Sequence, residues 1–249
     1  MLLARLASPA VRSWLPLINL RFSQQLTGGP SALDLRTFVA CNTEPVREHL
    51  TPEISLWLLT PRCRFWSQPA ELWPFSDPYW AIYWPGGQAL SRYLLDNPAV
   101  TKAKKVLDLG SGCGASAIAA SMSGATHVLA NDIDPIAAVS IGMNCKLNKI
   151  PPLPVATESL IGKMEEKWDV ILLGDMFYDE ELAADLHNWL TEYKRFHGSE
   201  ILIGDPGRAQ FTSYRAQNWL QKIIEYELPE TTKKENYGLT STTVWRFLP

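Results

Sequence analysis

The sequence predicts an α/β fold with a mostly parallel, seven-stranded sheet and helices on both faces. From residue 102 onward, short apolar runs alternate with helical patterns, as they do where crossover helices connect parallel strands. The first apolar run ends in a glycine-rich turn, Gly110-Ser111-Gly112, which opens a helix of small residues. Two extended segments close the chain, with Tyr237-Gly238 in the turn between them.

Each predicted strand is a short run of apolar or β-branched residues. The seven runs are residues 106–109, 127–130, 154–157, 170–173, 201–203, 225–229 and 242–247. Helices are expected between them. Pro135 stands where proline favours the first position of a helix, and helical patterns cover residues 180–195 and 209–225.

Residues 33–100 form a lead-in that is rich in tryptophan and proline. The sequence Thr51-Pro52-Glu53 predicts a helix start, because proline fits the first helical position. A second helix is predicted over residues 86–95, ending before Pro98. Most of the aromatic side chains between these segments are expected to pack as core or as a lid, so the lead-in predicts a layer on the main domain at 101–249.

The first residues differ from the rest of the chain. Arg5, Arg12 and Arg21 occur before any acid, and the first acid is Asp34. An arginine-rich, acid-poor N-terminus is typical of a mitochondrial transit peptide. Residues 1–32 are therefore expected to direct the protein to the mitochondrial matrix, and a disordered tail with chance arginines is the alternative.

Composition limits the classes of partner. The chain has 249 residues and a formal net charge of −3, which argues against nucleic-acid binding. Its 4 cysteines are scattered, so neither a metal site nor a disulfide framework is expected. No apolar run reaches the ~18–20 residues that a membrane-spanning helix needs. We expect a monomer that binds neither nucleic acid nor membrane.

The glycine turn predicts a nucleotide-type ligand, because backbone N–H groups at such a turn are free to approach one. Gly110 and Gly112 also fit the dinucleotide fingerprint, so a dinucleotide enzyme has to be considered. Asp108 precedes the turn at the end of the strand. Its carboxylate would repel a pyrophosphate, whereas it suits a cationic ligand that carries an ammonium and a sulfonium. Ser111, inside the turn, is expected to line the same site.

Further ligand contacts are expected after the second, third and fourth strands. Asp132 follows the first glycine by about 20 residues, the spacing of an acid that binds ribose hydroxyls. Asp134 precedes Pro135 and is expected to be a helix N-cap instead. By position, Thr157 and Glu158 are expected at the adenine edge, and Trp168 is either a stacking partner of the adenine or a core residue.

The fourth strand leads into Gly174, Asp175 and Tyr178, which predict the catalytic centre. Ligands bind at the carboxyl ends of strands in open α/β sheets, so these residues are expected to face the glycine turn. Asp175 would orient an incoming ammonium, and Tyr178 would contact the amine by hydrogen bond or by its ring. The alternatives are a helix N-cap for Asp175 and a core role for Tyr178. Trp84, beside a Pro-Gly-Gly turn, is expected to cover the ligand.

The turn after the fifth strand, Asp205-Pro206-Gly207-Arg208, has two interpretations. The turn either faces the substrate, with Arg208 meeting an acidic patch on that partner, or is an ordinary turn with Arg208 in solvent.

These motifs resemble the family-16 seven-β-strand protein methyltransferases. The resemblance rests on W-P-G-G at 84–87, L-D-L-G-S-G-C-G at 107–114, N-D-I-D-P at 131–135 and D-x-x-Y at 175–178, and it extends from about residue 51 to the C-terminus. It implies a Rossmann-like class I fold, S-adenosyl-L-methionine as the cofactor of the 101–249 core, and methyl transfer to protein lysine. The closest similarity in these segments is to members that trimethylate lysines of the electron transfer flavoprotein beta subunit in mitochondria.

Other functions remain possible at this point. One is a methyltransferase that acts on another mitochondrial protein, a small-molecule amine or a nucleic acid. A second is a different class altogether, either a non-catalytic binding module with the same fold or an NAD-dependent oxidoreductase.

Overall fold

The computed structural model describes residues 32–68, 78–215, 219–236 and 238–248. The predicted transit peptide, except for its last residue, lies outside the described residues, and so does Tyr237 of the C-terminal turn. Within the described ranges, no helix has both the length and the apolar character needed to cross a bilayer.

The lead-in begins with helix α1 and a two-stranded antiparallel ribbon. The bounds are α1 Ala32–Asn42, β1 Glu44–Val46 and β2 Leu56–Leu58. The helix predicted to start at Thr51 is wrong, because this segment forms a turn in which Ile54 N donates to Thr51 O at 2.9 Å. Leu56 and Leu58 are buried and Trp57 between them is half-buried, an alternation that favours a strand over a helix.

Helix α2, Pro85–Asp96, starts one residue earlier than predicted and includes both glycines, as expected. Its first turn crosses the sheet at very close range. A Cβ on Gly86 would overlap the carbonyl oxygen of Gly204, and one on Gly174 would lie 2.9 Å from the backbone of Gly87. The missing side chains therefore allow the helix backbone to lie directly on the strand ends.

The main domain alternates strands and helices. Its elements are β3 Lys105–Leu109, α3 Ala115–Met122, β4 His127–Asn131, α4 Pro135–Leu147, β5 Val155–Ala156, β6 Val170–Gly174, α5 Glu180–His197, β7 Glu200–Asp205, α6 Ala209–Arg215, β8 Leu220–Glu227, α7 Glu230–Glu235 and β9 Ser241–Phe247. The strands form one sheet in the order β5-β4-β3-β6-β7-β9-β8. The first five run parallel, and β9 pairs antiparallel with both β7 and β8. The predicted fold class is confirmed.

The helix predicted over residues 209–225 is wrong. Helix α6 ends at Arg215, and β8 starts at Leu220, paired with Phe247 of β9. The short helix α7 then lies between the last two strands, where a plain turn was predicted. Pairing with β9 decides the conformation of residues 220–225, because strand preference depends on neighbouring strands more than on intrinsic propensity.

Apolar side chains fill both faces of the sheet. Residues such as Val106 and Leu172 pack on one face together with α2 and α3. Leu107 and Leu173 pack on the other face together with α5. Because β3 and β6 are covered on both faces, their sequences are nearly continuous apolar runs, which is why the sequence predicted them readily.

Candidate active site

The turn after β3 forms the floor of a small cavity at the carboxyl edge of the sheet. The residues from the sequence prediction that line it are Trp84, Asp108, Gly110, Ser111, Gly112 and Gly174. Gly112 has φ +54°, a left-handed conformation that favours glycine. Six of the ten expected cofactor-binding residues therefore meet at one site.

Asp108 is an interior carboxylate of this site, 2% exposed. It accepts hydrogen bonds from Ser111 Oγ at 2.5 Å and from Ala117 N at 3.0 Å. Burial raises the pKa of Asp108 to about 7, although these hydrogen bonds oppose the rise. A buried acid directly beneath the glycine turn disfavours a pyrophosphate and favours a positively charged ligand.

Asp132 links β4 to the glycine turn. Its Oδ2 accepts from Gly112 N at 2.8 Å, and its Oδ1 accepts from Asp134 N at 3.0 Å. Asp134 caps α4 by accepting from Ile136 N at 2.8 Å, as expected. The ribose-binding role of Asp132 stays a prediction, but the carboxylate lies against the turn where that role requires it.

Two of the predicted adenine contacts follow β5. Thr157 and Glu158 are exposed, and Glu158 forms an ion pair with Lys163 at 2.7 Å. The sequence analysis assigned no site role to Asn131, whose Nδ2 donates to Glu158 O at 2.8 Å and thereby holds this loop against β4. An amide at the end of a parallel strand was the available signal.

Trp168 lies apart from the glycine turn. It precedes β6 at the amino edge of the sheet, and its ring stacks on His127 with centroids 5.6 Å apart. Together with Glu158 it borders a separate cavity of about 270 Å³. Trp168 is 4% exposed, so its core interpretation fits this structure better than stacking on the adenine.

Asp175 occupies a constrained position after β6. It has φ +57°, is 5% exposed, and its Oδ2 accepts a short hydrogen bond from Gly86 N. Its Oδ1 accepts from Arg208 Nε at 2.8 Å and from Arg208 Nη2 at 2.5 Å. Asp179 caps α5 instead, so the N-cap alternative for Asp175 is wrong.

Three aromatic side chains form a packed group that meets the Asp175–Arg208 ion pair at Trp84. The ring of Tyr178, 53% exposed, stacks on Tyr79 with centroids 5.9 Å apart. Trp84 lies 6.0 Å from Tyr79 and donates from Nε1 to the Tyr79 carbonyl oxygen at 3.0 Å. The exposure of Tyr178 contradicts the core alternative. Tyr79 was not among the expected site residues, because nothing in the sequence separates it from the other aromatic residues nearby.

Arg208 connects this group to the end of β7. Its guanidinium carbon lies 5.4 Å from the Trp84 ring centroid, and its backbone N donates to Asp205 Oδ1 at 2.8 Å. With its side chain 23% exposed and paired with Asp175, Arg208 fits neither of its two interpretations. The turn that carries Asp205 and Arg208 therefore lies at the candidate site, but the ion pair of Arg208 with Asp175 was not predicted.

Comparison with known proteins finds methyltransferases that resemble this chain. The model of the ribosomal protein L11 methyltransferase (PrmA) family matches residues 88–202. Among solved structures, ribosomal protein L11 methylase from Lactobacillus delbrueckii subsp. bulgaricus aligns with a TM-score of 0.46 at 23% identity, covering 66% of this chain and 80% of that one.

The strand order, together with an acid-flanked glycine turn beside β6, defines a class I methyltransferase whose cofactor is S-adenosylmethionine. The chain is 60% identical over 215 residues to the electron transfer flavoprotein beta subunit lysine methyltransferase of Danio rerio, covering 86% of this chain and 83% of that protein. It is 57% identical over 225 residues to the Homo sapiens protein of that name, covering 89% and 86%. The chain belongs to the family of electron transfer flavoprotein beta subunit lysine methyltransferases.

The residues present fit this cofactor. Asp108 and Asp132 are two acids beside the glycine turn, of the kind that a cationic and hydroxyl-bearing ligand requires, and Gly110 and Gly112 line the cavity there. When bound, the cofactor supplies an electrophilic methyl group on a positively charged sulfur.

We expect cofactor affinity to depend on pH through Asp108. Because burial raises its pKa to about 7, much of this carboxyl is neutral below neutral pH, and a cationic ligand favours the ionised form. Affinity should therefore rise about tenfold from pH 6 to pH 8 and level off above. Calorimetric titration with S-adenosylhomocysteine, which keeps the ammonium, would measure this, and Asp108→Asn should remove the dependence. The same slope in that variant would contradict the assignment to Asp108.

Proposed function

We propose that this protein methylates lysine side chains of the electron transfer flavoprotein beta subunit, up to trimethyllysine, in the mitochondrial matrix. The observation that carries the proposal is the group built around Asp175: Arg208 pairs with its carboxylate and lies over the Trp84 ring, which packs with Tyr79 and Tyr178. The names of its relatives support the choice of substrate. Under this proposal residues 1–32 are the import segment, residues 33–100 a layer on the core, and residues 101–249 the cofactor-binding core.

The chemistry requires a neutral amine in line with the donor methyl group. Lysine enters as an ammonium, so the site has to attract the charged form and then favour its loss of a proton. Asp175 attracts the ammonium, while loss of water against the faces of Tyr178 and Trp84 lowers the pKa of the lysine amine and so favours release of its proton to solvent. Tyr178, at 53%, is the most exposed of the three rings, which supports a role for it where the lysine enters.

In the cofactor pocket, each residue contacts a different part of S-adenosylmethionine. Asp108 faces the ammonium of the cofactor, and Asp132 accepts hydrogen bonds from its ribose. Ser111 and the backbone of Gly110, Gly112 and Gly174 line the path between them, and Trp84 excludes water from above. Thr157 and Glu158 contact the adenine. The enzyme acts as a monomer, without nucleic acid or membrane as a partner.

Mass spectrometry of the purified flavoprotein, after incubation with this enzyme and S-adenosylmethionine, tests the proposal. We expect increments of one to three methyl groups on lysines of the beta subunit, with none when the donor is omitted. Radiolabelled donor in mitochondrial matrix extract provides the wider comparison. Label that enters RNA or metabolites while the beta subunit stays unmodified would contradict the proposed substrate.

A further inference from the structure

Asp175 is already bound to a cation in this structure. Its Oδ1 accepts two hydrogen bonds from the Arg208 guanidinium, and its Oδ2 accepts one from Gly86 N. A carboxylate oxygen accepts about two hydrogen bonds, so Oδ1 has no capacity left for a lysine ammonium. Arg208 also lies over the Trp84 ring, which is a second cation-binding surface of the same site. Arg208 therefore makes the two contacts that an incoming ammonium would make.

A second carboxylate stands behind this ion pair. Asp205 is 1% exposed, and its Oδ1 accepts from the backbone N–H groups of Gly207 at 2.6 Å and Arg208 at 2.8 Å. Its buried Oδ2 has no hydrogen-bond partner among the described residues. A buried carboxylate oxygen without a donor is costly, so it is a strong acceptor for any donor that reaches it.

With both carboxylates ionised, this site has a net charge of −1, which one more cation would neutralise. Asp175 and Asp205 carry two negative charges when ionised, and Arg208 carries one positive charge. Both carboxylates help raise the pKa of Arg208, so the guanidinium interacts electrostatically with each of them. Burial and the charge of Asp175 raise the pKa of Asp205 to about 7, although the nearby Arg208 opposes the rise.

We propose that Arg208 occupies the cation-binding position of the lysine site in the absence of substrate. The substrate ammonium then replaces it on Asp175, while the guanidinium moves to the unpartnered Oδ2 of Asp205. This inference rests on the proposed function, because it concerns how a lysine reaches Asp175. Arg208 and Asp205 then act as positioning residues. Asp205 lowers the cost of vacating Asp175, and Arg208 keeps the site charge-paired between turnovers.

The proposal predicts opposite effects for the two residues on the KM of the flavoprotein beta subunit. In Arg208→Gln the ammonium has no competitor, so KM should fall at least threefold. In Asp205→Asn the displaced guanidinium loses its acceptor, so KM should rise about tenfold. In the double variant there is no guanidinium for residue 205 to accept, so KM should stay within twofold of that of Arg208→Gln.

Initial rates at saturating methyl donor measure these values, and calorimetry with S-adenosylhomocysteine should give affinities within twofold of wild type. Arg195→Gln, which removes an exposed arginine from the last turn of α5, is the matched control and should leave KM unchanged. A higher KM in Arg208→Gln, or a further rise when Asp205→Asn is added to it, would overturn the proposal. If Asp205→Asn fails to fold, the direction of the KM change in Arg208→Gln still tests the proposal. A wild-type enzyme that leaves the beta subunit unmodified would contradict the proposed function as well, whereas an active one with the reverse pattern contradicts this inference alone.

Discussion

Replacing Asp175 with asparagine should lower kcat/KM for the protein substrate about 10²–10³-fold and leave the affinity for S-adenosylhomocysteine within twofold of wild type. The amide keeps an acceptor for Gly86 N but no longer carries the charge that attracts an ammonium. Asparagine is also the appropriate test residue, because Asp175 has φ +57°, a region that asparagine tolerates better than alanine. Initial rates with radiolabelled donor, beside a calorimetric titration, separate the two effects.

The control for this variant is another carboxylate paired with an arginine. Asp96 contacts Arg92 Nη2 at 2.7 Å, but on an exposed face of α2. Exposed ion pairs contribute little, so Asp96→Asn should keep wild-type rates. If Asp175→Asn loses cofactor affinity together with activity, Asp175 belongs to the cofactor-holding scaffold and its catalytic assignment is wrong.

The sequence predicted which residues meet around the glycine turn because these residues are local. Asp108, Gly110 and Gly112 lie within one strand, turn and helix, and the spacing to Asp132 follows from one crossover unit. The rule that ligands bind at the carboxyl ends of strands then brought Asp175 to the same edge. The cavity that Asp108 and Gly174 share agrees with this reasoning.

The residues of the proposed lysine site were harder to predict from the sequence, because their arrangement depends on where side chains of distant segments point. Arg208 lies 33 residues after Asp175, on a different strand end, and no pattern predicts that its guanidinium turns inward. Tyr79 could not be selected for a similar reason, since its stacking on Tyr178 joins segments about a hundred residues apart. The helix prediction for residues 220–225 was wrong for a different reason, because only the pairing with β9 shows that they form a strand.

Replacing Gly86 with alanine should destabilise the folded protein by about 3 kcal/mol or more, the range for a clash that the backbone has to absorb. The new Cβ would overlap the carbonyl oxygen of Gly204 and lie 2.6 Å from Asp175 Oδ2. Neither group can move freely, because Gly204 is held within β7 and Asp175 is held by Arg208. Thermal unfolding should show a midpoint about 6–12 °C below wild type.

Gly142→Ala is the matched control, because it makes the same change inside another helix. Gly142 lies in α4, is exposed, and a Cβ there would meet nothing within 4 Å. Alanine in an open helical position stabilises by about 0.5–1 kcal/mol relative to glycine, so the midpoint should rise by a few degrees. Opposite signs at Gly86 and Gly142 would show that backbone contact, and not helix propensity, requires glycine at the crossing. A wild-type midpoint for Gly86→Ala would mean that α2 can move away from the strand ends, and the hydrogen bond from Gly86 N could then not hold Asp175 in position.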